Sequence, residues 1–256
     1  MGAFVFSDVH GDSLAIRRAI TRAREIAGPD VELLSVGDLV DRGPDTQGVL
    51  DICVGEGVVG VCGNHEGWLC ELLSSGNFTE MALHPKMGGA NTFLSYGLDP
   101  QRFDTQTLAY ALCQRLPETH KDWLLGLPLT RSLSVGGTTY RITHGGIPTS
   151  LGKFVCGFFE KELQKHGLPL TSEEVSKAAF RFIAEKHSEA FVWGGARRGT
   201  CFKFPDESVQ IFGHNPWQGG AEINPQGGYI ALGSGSRFVS GVLLQEDGSR
   251  QILTSL

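Results

Sequence analysis

Five short polar clusters interrupt otherwise apolar stretches of this 256-residue chain: "SDVHGD" at Ser7, "GDLVDRG" at Gly37, "GNHE" at Gly63, "THGG" at Thr143 and "GHNP" at Gly213. They contain Asp8, His10, Asp38, Asn64, His144 and His214, a mixture of carboxylate, imidazole and amide oxygen. That mixture suits Mn²⁺, Fe or Zn²⁺ and not Ca²⁺, which takes oxygen alone. Six protein donors are too many for one catalytic ion that keeps open positions. An aspartate can bridge two ions, and two ions roughly 3.5–4 Å apart form the clamp used for in-line displacement at phosphorus. The chemistry these residues point to is hydrolysis.

Such side chains need elements that bring them together. Ala3, Phe4, Val5 and Phe6 form a short apolar run that reads as a buried strand ending at Asp8. In extended geometry Asp8 and His10, two apart, would point to the same side. Taken alone, this motif is equally consistent with Ser7 and Asp8 capping the next helix and His10 lying in a loop. Leu14, Ile16, Ala19, Ile20, Ala23 and Ile26 then recur at helical spacing until Gly28-Pro29. "VELLSV" predicts a second buried strand, residues 46–54 a helix, and "GVVGVCG" a third strand ending at Asn64-His65-Glu66. This βαβ rhythm belongs to α/β folds, whose sites gather at the carboxyl ends of strands. Helical periodicity returns over residues 66–73, 107–116 and 118–125. From Thr130 onward, strands are predicted at "RSLSV", "TTYRIT", "VQIFG", "GYIALG" and "VSGVLLQ", with one helical insertion near residues 173–186. Without repeats, low-complexity tracts or linkers, a single domain over residues 1–256 is expected.

Four of the eight histidines (His10, His65, His144 and His214) fall in the polar clusters. The remaining His84, His120, His166 and His187 are expected to be solvated. A formal charge of -6 argues against general nucleic-acid binding, although bound cations would still draw an anionic substrate into a cleft. The six cysteines show neither a C-x-x-C pair nor zinc spacing, as in reduced cytoplasmic proteins. No stretch is long and apolar enough to cross a bilayer, no signal segment is read at the start, and a cytoplasmic location is expected.

The ordered set D-x-H, G-D-x-x-D-R-G, G-N-H-E, H and G-H resembles the calcineurin-like metallophosphoesterases, specifically the PPP-type phosphoprotein phosphatases. The resemblance runs from Phe4 to about Leu244, and "GGANTFLSYG" at Gly88 is similar to a segment of bacterial and phage members. It implies a four-layer αββα sandwich with mixed β-sheets. It also implies two divalent metal ions, with Mn²⁺ expected, the first held by Asp8 and His10 and the second by Asn64, His144 and His214, with Asp38 bridging. His65 would be the general acid, oriented by Asp41, and Arg42, Asn64 and Arg197 would bind the phosphate. The attacking group would be a metal-bound water. A phosphorylated protein or a small phosphoester is the implied substrate.

Simpler roles compete for some of these residues. Arg42 could pair with Glu66 or Asp45, and Asp41 could cap the following helix. The sequence also departs from the family. Ser7 stands where many protein phosphatases have Gly, and Gly233 stands where Asp is often found. In "WGGARRG" the second phosphate-binding arginine is Arg197 or Arg198, both later after Trp193 than is usual in the family. The alternative enzyme is a dinucleoside tetraphosphate (Ap4A) hydrolase, from which the intact "VDRG" and "GNHE" lean away. A non-catalytic metal-binding module would be expected to lose ligands, and none is missing.

Overall fold

The computed structural model describes residues 2–165, 171–186, 189–193, 200–214, 221–233 and 239–254. Its first strand, β1 (Ala3–Ser7), is buried along its whole length. Side chains alternate across a strand, so Phe4 and Phe6 face one way, against helix α1 (Ser13–Ala27), while Ala3 and Val5 face a second sheet. A strand covered on both faces needs an unbroken apolar run, which is what these residues provide.

The first sheet is completed by β2 (Glu32–Ser35), β3 (Val59–Gly60), β9 (Ser240–Leu244) and β10 (Arg250–Thr254), in the order β10-β9-β1-β2-β3. β1, β2 and β3 run parallel, whereas β9 and β10 are antiparallel to their neighbours. The second sheet holds β4 (Thr130–Val135), β5 (Thr138–Thr143), β6 (Val209–Phe212), β7 (Glu222–Asn224) and β8 (Tyr229–Ala231), in the order β4-β5-β6-β8-β7. Gly136 and Gly137, both with positive φ, close the β4–β5 hairpin, a turn that only such residues make easily. Both sheets are mixed, and Val5, Leu34 and Val242 of one meet Ile142, Ile211 and Ile230 of the other in a shared core.

Helices cover the outer faces. α1 and α2 (Thr46–Gly55) pack on the first sheet through Ile16, Ile20, Val49 and Ile52. Asp12 caps α1 and Asp45 caps α2, so neither Asp8 nor Asp41 has that duty. α3 (Asn64–Ser75), a short 3-10 helix (Glu80–Leu83), α4 (Gly89–Ser95), α5 (Thr105–Arg115) and α6 (Glu118–Leu125) build a separate core around Leu69, Phe93 and Leu112. α7 (Thr149–Lys165), α8 (Ser172–Lys186) and α9 (Glu189–Trp193) lie beyond the second sheet, where the Arg141 guanidinium of β5 stacks on Phe180 and Phe204. The whole is the mixed-sheet sandwich that the motifs implied.

Three expectations change. β3 is two residues long instead of seven: Val61 N–H still donates to Ser35 O of β2 (3.0 Å), but Cys62 N–H turns away to Pro128 O (2.8 Å). Where one helical insertion was expected, three helices stand. α7 contains Gly152 and Gly157, poor helix formers that mask its pattern. Gly152 is required there, because a Cβ would collide with the Phe202 ring. His120 is not solvated: it is buried on α6, bridging Tyr96 Oη (2.8 Å) and Asp51 Oδ1 (3.0 Å). His84 is exposed as expected, while His166 and His187 lie outside the described residues.

Candidate active site

The polar clusters meet where β1, β2, β3, β5 and β6 end. Asp8 and His10 are not extended, as their spacing suggested, but left-handed, with φ of 53° and 48°. Of the seven non-glycine residues with positive φ among those described, six belong to the clusters: Asp8, His10, Asp38, Asp41, Arg42 and His214. Each such residue costs about 1–3 kcal/mol of strain unless its surroundings enforce it. Here they do. Asp8 N–H donates to Gly37 O (3.0 Å), His10 N–H to Asp38 O (3.0 Å) and Gly11 N–H to Leu39 O (2.7 Å), so the first two loops interlock. Gly11 and Gly43 allow that approach, since a Cβ on Gly43 would strike His10 O.

Glu66 fastens the second loop to α3. Its buried carboxylate accepts from the N–H groups of Asp38 (2.7 Å), Leu39 (2.7 Å), Val40 (3.2 Å) and Gly63 (3.0 Å). Burial and the nearby Asp38 charge raise its pKa. It is therefore unavailable to Arg42, and Asp45 is engaged by Ser13 and the N-terminus of α2.

All six proposed metal donors converge, and the ring orientations are specific. His10 Nδ1–H donates to Val40 O (3.1 Å) and His144 Nδ1–H to Val36 O (2.8 Å), which leaves each Nε2 lone pair facing the centre. Asp38 is shared by two donor groups, one with His10 and His65 and one with His144 and His214. Its Oδ2 is 3.9 Å from His10 Nε2 and its Oδ1 is 3.2 Å from His144 Nε2. His214 Nδ1 lies 2.9 Å from Asn64 Oδ1 and 3.1 Å from His144 Nε2. Asp8 Oδ1 is 4.0 Å from His10 Nε2, while its Oδ2 accepts from Ser7 Oγ and from His214 N–H (3.2 Å).

Lone pairs packed this closely need a positive charge among them, so the residues fit divalent cations. Protonation behaviour says the same. Burial disfavours a charged His144, yet the Asp38 carboxylate outweighs it and lifts the ring to about 9. Burial lowers His10 to about 3, where Arg42 and His65 add to the effect, and lowers His214 to about 4 with His144 adding to it. Desolvation raises Asp8 to about 6. Desolvation also opposes ionisation of Asp38, but the surrounding His144, His65 and His10 hold it well below the ordinary carboxylate range.

The family follows from this arrangement together with the sequence. Residues 1–218 match the model of the calcineurin-like phosphoesterases. The chain belongs to that family. A relative, "Serine/threonine-protein phosphatase 1" of Salmonella typhimurium, is 30% identical over 147 residues, 57% of this chain and 60% of that protein. The match thus spans less than two thirds of the relative's length. Among solved structures, a candidate diadenosine tetraphosphatase superposes with a TM-score of 0.57 at 16% identity, covering 100% of this chain and 94% of the other. A protein serine/threonine phosphatase from Saccharomyces cerevisiae gives 0.51 at 15% identity, covering 100% and 79%. At these identities the two structures attest the fold.

In this phosphoesterase His65 is fully buried and its Nδ1 lies 2.8 Å from Asp41 Oδ2. Burial alone would lower its pKa, but the Asp41 hydrogen bond and the Asp38 charge raise it on balance. The exposed Arg42 guanidinium lies 2.8 Å from His10 Nε2 and 3.1 Å from His65 Nε2. Arg197 and Arg198 lie outside the described residues. Trp68, half-buried beside His65 (ring centroids 5.1 Å apart), and half-exposed Trp193, beside His214 (5.9 Å), form an aromatic wall that no spacing rule marked out. Glu66's anchoring role, and Thr46 and Thr92, whose Oγ1 atoms accept the Asp41 N–H (3.3 and 3.1 Å), also escaped the sequence, since only the folded chain gives them partners.

Proposed function

We propose that this phosphoesterase hydrolyses phosphomonoesters, with phosphoserine and phosphothreonine in proteins as its substrates, using His65 as general acid. The observation that carries the reading is the buried His65–Asp41 pair, 2.8 Å apart, beside the doubly shared Asp38. The Salmonella relative is named for the same activity. Arg42, Asn64 and Arg197 would hold the phosphate, the arginines through the fork geometry that suits it. Two divalent cations held by Asp8, His10, Asp38, Asn64, His144 and His214, with Mn²⁺ favoured by mixed nitrogen and oxygen donors, would neutralise phosphoryl charge and acidify the attacking water. As a water oxygen bonds to phosphorus and releases a proton to solvent, the ester P–O bond breaks and the His65 Nε2 proton passes to the departing alkoxide. His65 is reprotonated from solvent afterwards. Asp41 stabilises the imidazolium and keeps Nε2 aimed at that oxygen. No helix among the described residues is long and apolar enough to span a membrane, and six free thiols support work in the reducing cytoplasm.

His65→Asn should lower kcat by about 10²–10⁴-fold on alkyl phosphates. The loss should be smaller on aryl phosphates, whose leaving groups need little protonation, and metal content should hold. A loss independent of the leaving group would defeat the assignment. The second reading, a dinucleoside tetraphosphate hydrolase, is favoured by one feature: Trp68 and Trp193, 6.0 Å apart, offer faces on which a purine could stack. Assays with Mn²⁺ on phosphopeptides, small phosphomonoesters and diadenosine tetraphosphate separate the two, and faster turnover of the dinucleotide would transfer the assignment.

A further inference from the structure

Asp41 Oδ2 receives the His65 proton donor, and the other carboxylate oxygen has a partner from a different part of the chain. Thr92, in the middle of α4, donates from Oγ1 to Asp41 Oδ1 (2.6 Å). The same Oγ1 accepts the backbone N–H of Asp41 (3.1 Å) and lies 2.9 Å from Thr46 Oγ1. Both threonines are buried, at 1% and 0% exposure. A hydroxyl has one proton and two lone pairs. The carboxylate takes the proton and the Asp41 N–H takes one lone pair, so the Thr46 hydroxyl must donate into the other. The relay then has one direction: Thr46 O–H to Thr92, Thr92 O–H to Asp41, with His65 Nδ1–H meeting the far oxygen.

The loop that α4 grips is strained, with φ of 68° at Asp41 and 63° at Arg42. The start of α4 and the residue before it hold both. Arg42 N–H donates to Gly88 O (3.0 Å), and Asn91 Nδ2 donates to Arg42 O. A Cβ on Gly88 would sit 2.7 Å from Arg42 Cα, so glycine is required for this approach. α4 is tied in turn to α2, where Gln47 N–H donates to Ser95 Oγ (2.7 Å), and Phe93 anchors it in the helical core.

We infer that Thr92 is a positioning residue for the general acid: its hydroxyl, oriented by Thr46, sets the plane of the Asp41 carboxylate and through it the aim of the His65 ring. This rests on the reading of His65 given above. The competing role is simple packing, with the hydroxyl satisfied because it happens to be buried.

Thr92→Val keeps the shape and removes the donor, whereas Thr92→Ser keeps the donor and trims the packing. Thr92→Val should lower kcat on an alkyl phosphate by about tenfold, less than the roughly 10²-fold that a displaced catalytic group costs. Its kcat on p-nitrophenyl phosphate and both KM values should hold, and Thr92→Ser should restore the alkyl phosphate rate. Combined with His65→Asn, the threonine change should add nothing. If Thr92→Val fails to fold, Thr92→Ala, which leaves room beside the carboxylate, is read against the same pair of substrates. Equal losses on both substrates, or a Thr92→Ser variant as slow as the valine, would mean packing alone and overturn the inference. A His65→Asn enzyme indifferent to the leaving group overturns the general-acid reading and this one with it. A sensitive His65→Asn enzyme beside an insensitive Thr92 variant overturns the threonine assignment alone.

Discussion

The two donor groups that share Asp38 are built in different ways. The His10 group joins Asp38 to His10 and His65, with Asp8 Oδ1 4.0 Å from His10 Nε2, all within the first 65 residues and following the neighbouring parallel strands β1, β2 and β3. The His144 group joins Asp38 and Asn64 to residues 80 and 150 positions beyond Asn64, carried by β5 and β6 of the other sheet. Each lead histidine is tethered alike, Nδ1 to a backbone carbonyl, yet burial lowers His10 to about 3 while Asp38 lifts His144 to about 9. The lesson is that tethering sets orientation, and the distance to Asp38, 3.9 Å against 3.2 Å, helps set proton affinity. The first group is local to one sheet, whereas the second exists only when the two sheets are packed.

The strongest test of this contrast removes what the groups share. On the proposed two-cation reading, Asp38→Asn should empty both cation sites and cost activity about 10³-fold or more, since a metal contributes several kcal/mol to such a transition state. Elemental analysis that finds one cation retained at full occupancy would show that the groups are independent. Next come two core substitutions of similar expected cost. Ile142 lies between the sheets and Ile20 lies between α1 and the first sheet. Changing either to Ala should destabilise by about 2–5 kcal/mol in thermal or urea unfolding. Only Ile142→Ala should weaken one of two cation-binding steps in calorimetric titration, because β5 carries His144. Equal weakening by Ile20→Ala would erase the distinction.

The smallest effect concerns the outer face of β5. The Arg141 guanidinium donates to Asp206 (2.7 Å) and Ser208 (2.8 Å). Burial opposes ionisation of Asp206, but the Ser208 and Arg141 hydrogen bonds outweigh it and lower its pKa below the free value of 3.8. A carboxylate lowered in the folded state contributes stability that is fully present above the unfolded pKa and lost as pH falls through the folded one. Asp206→Asn should therefore cost about 1–3 kcal/mol at neutral pH and converge on the parent in strong acid, as read from unfolding curves at several pH values. A gap that persists in acid would mean that ionisation of Asp206 contributes nothing.

The His10 group was the more legible of the two in the sequence. β1, α1, β2 and α2 followed from apolar spacing, and Asp8, His10 and Asp38 stood out as polar residues at the ends of buried runs. His144 and His214 were marked only by similar endings far along the chain. α7 stayed hidden because its two glycines, one imposed by Phe202, blunt the helical pattern. His120 was misjudged because Tyr96 and Asp51, which make its burial tolerable, come from the end of α4 and from α2.

By itself the sequence determined the types of donor, their order, and the alternation of buried strands and helices that carries the first three clusters to one edge. Those properties depend on composition and on periods of two and 3.6 residues, which are local. Tertiary structure alone decided the left-handed backbone at Asp8, His10 and Asp38, the closure of the second sheet on the first, and the threonine pair behind Asp41. Each of these is imposed by partners distant in sequence: a carbonyl across the loop, a carboxylate from α3, a hydroxyl from α4. A chain free of those partners would relax to extended or right-handed backbone, and the donors would point apart.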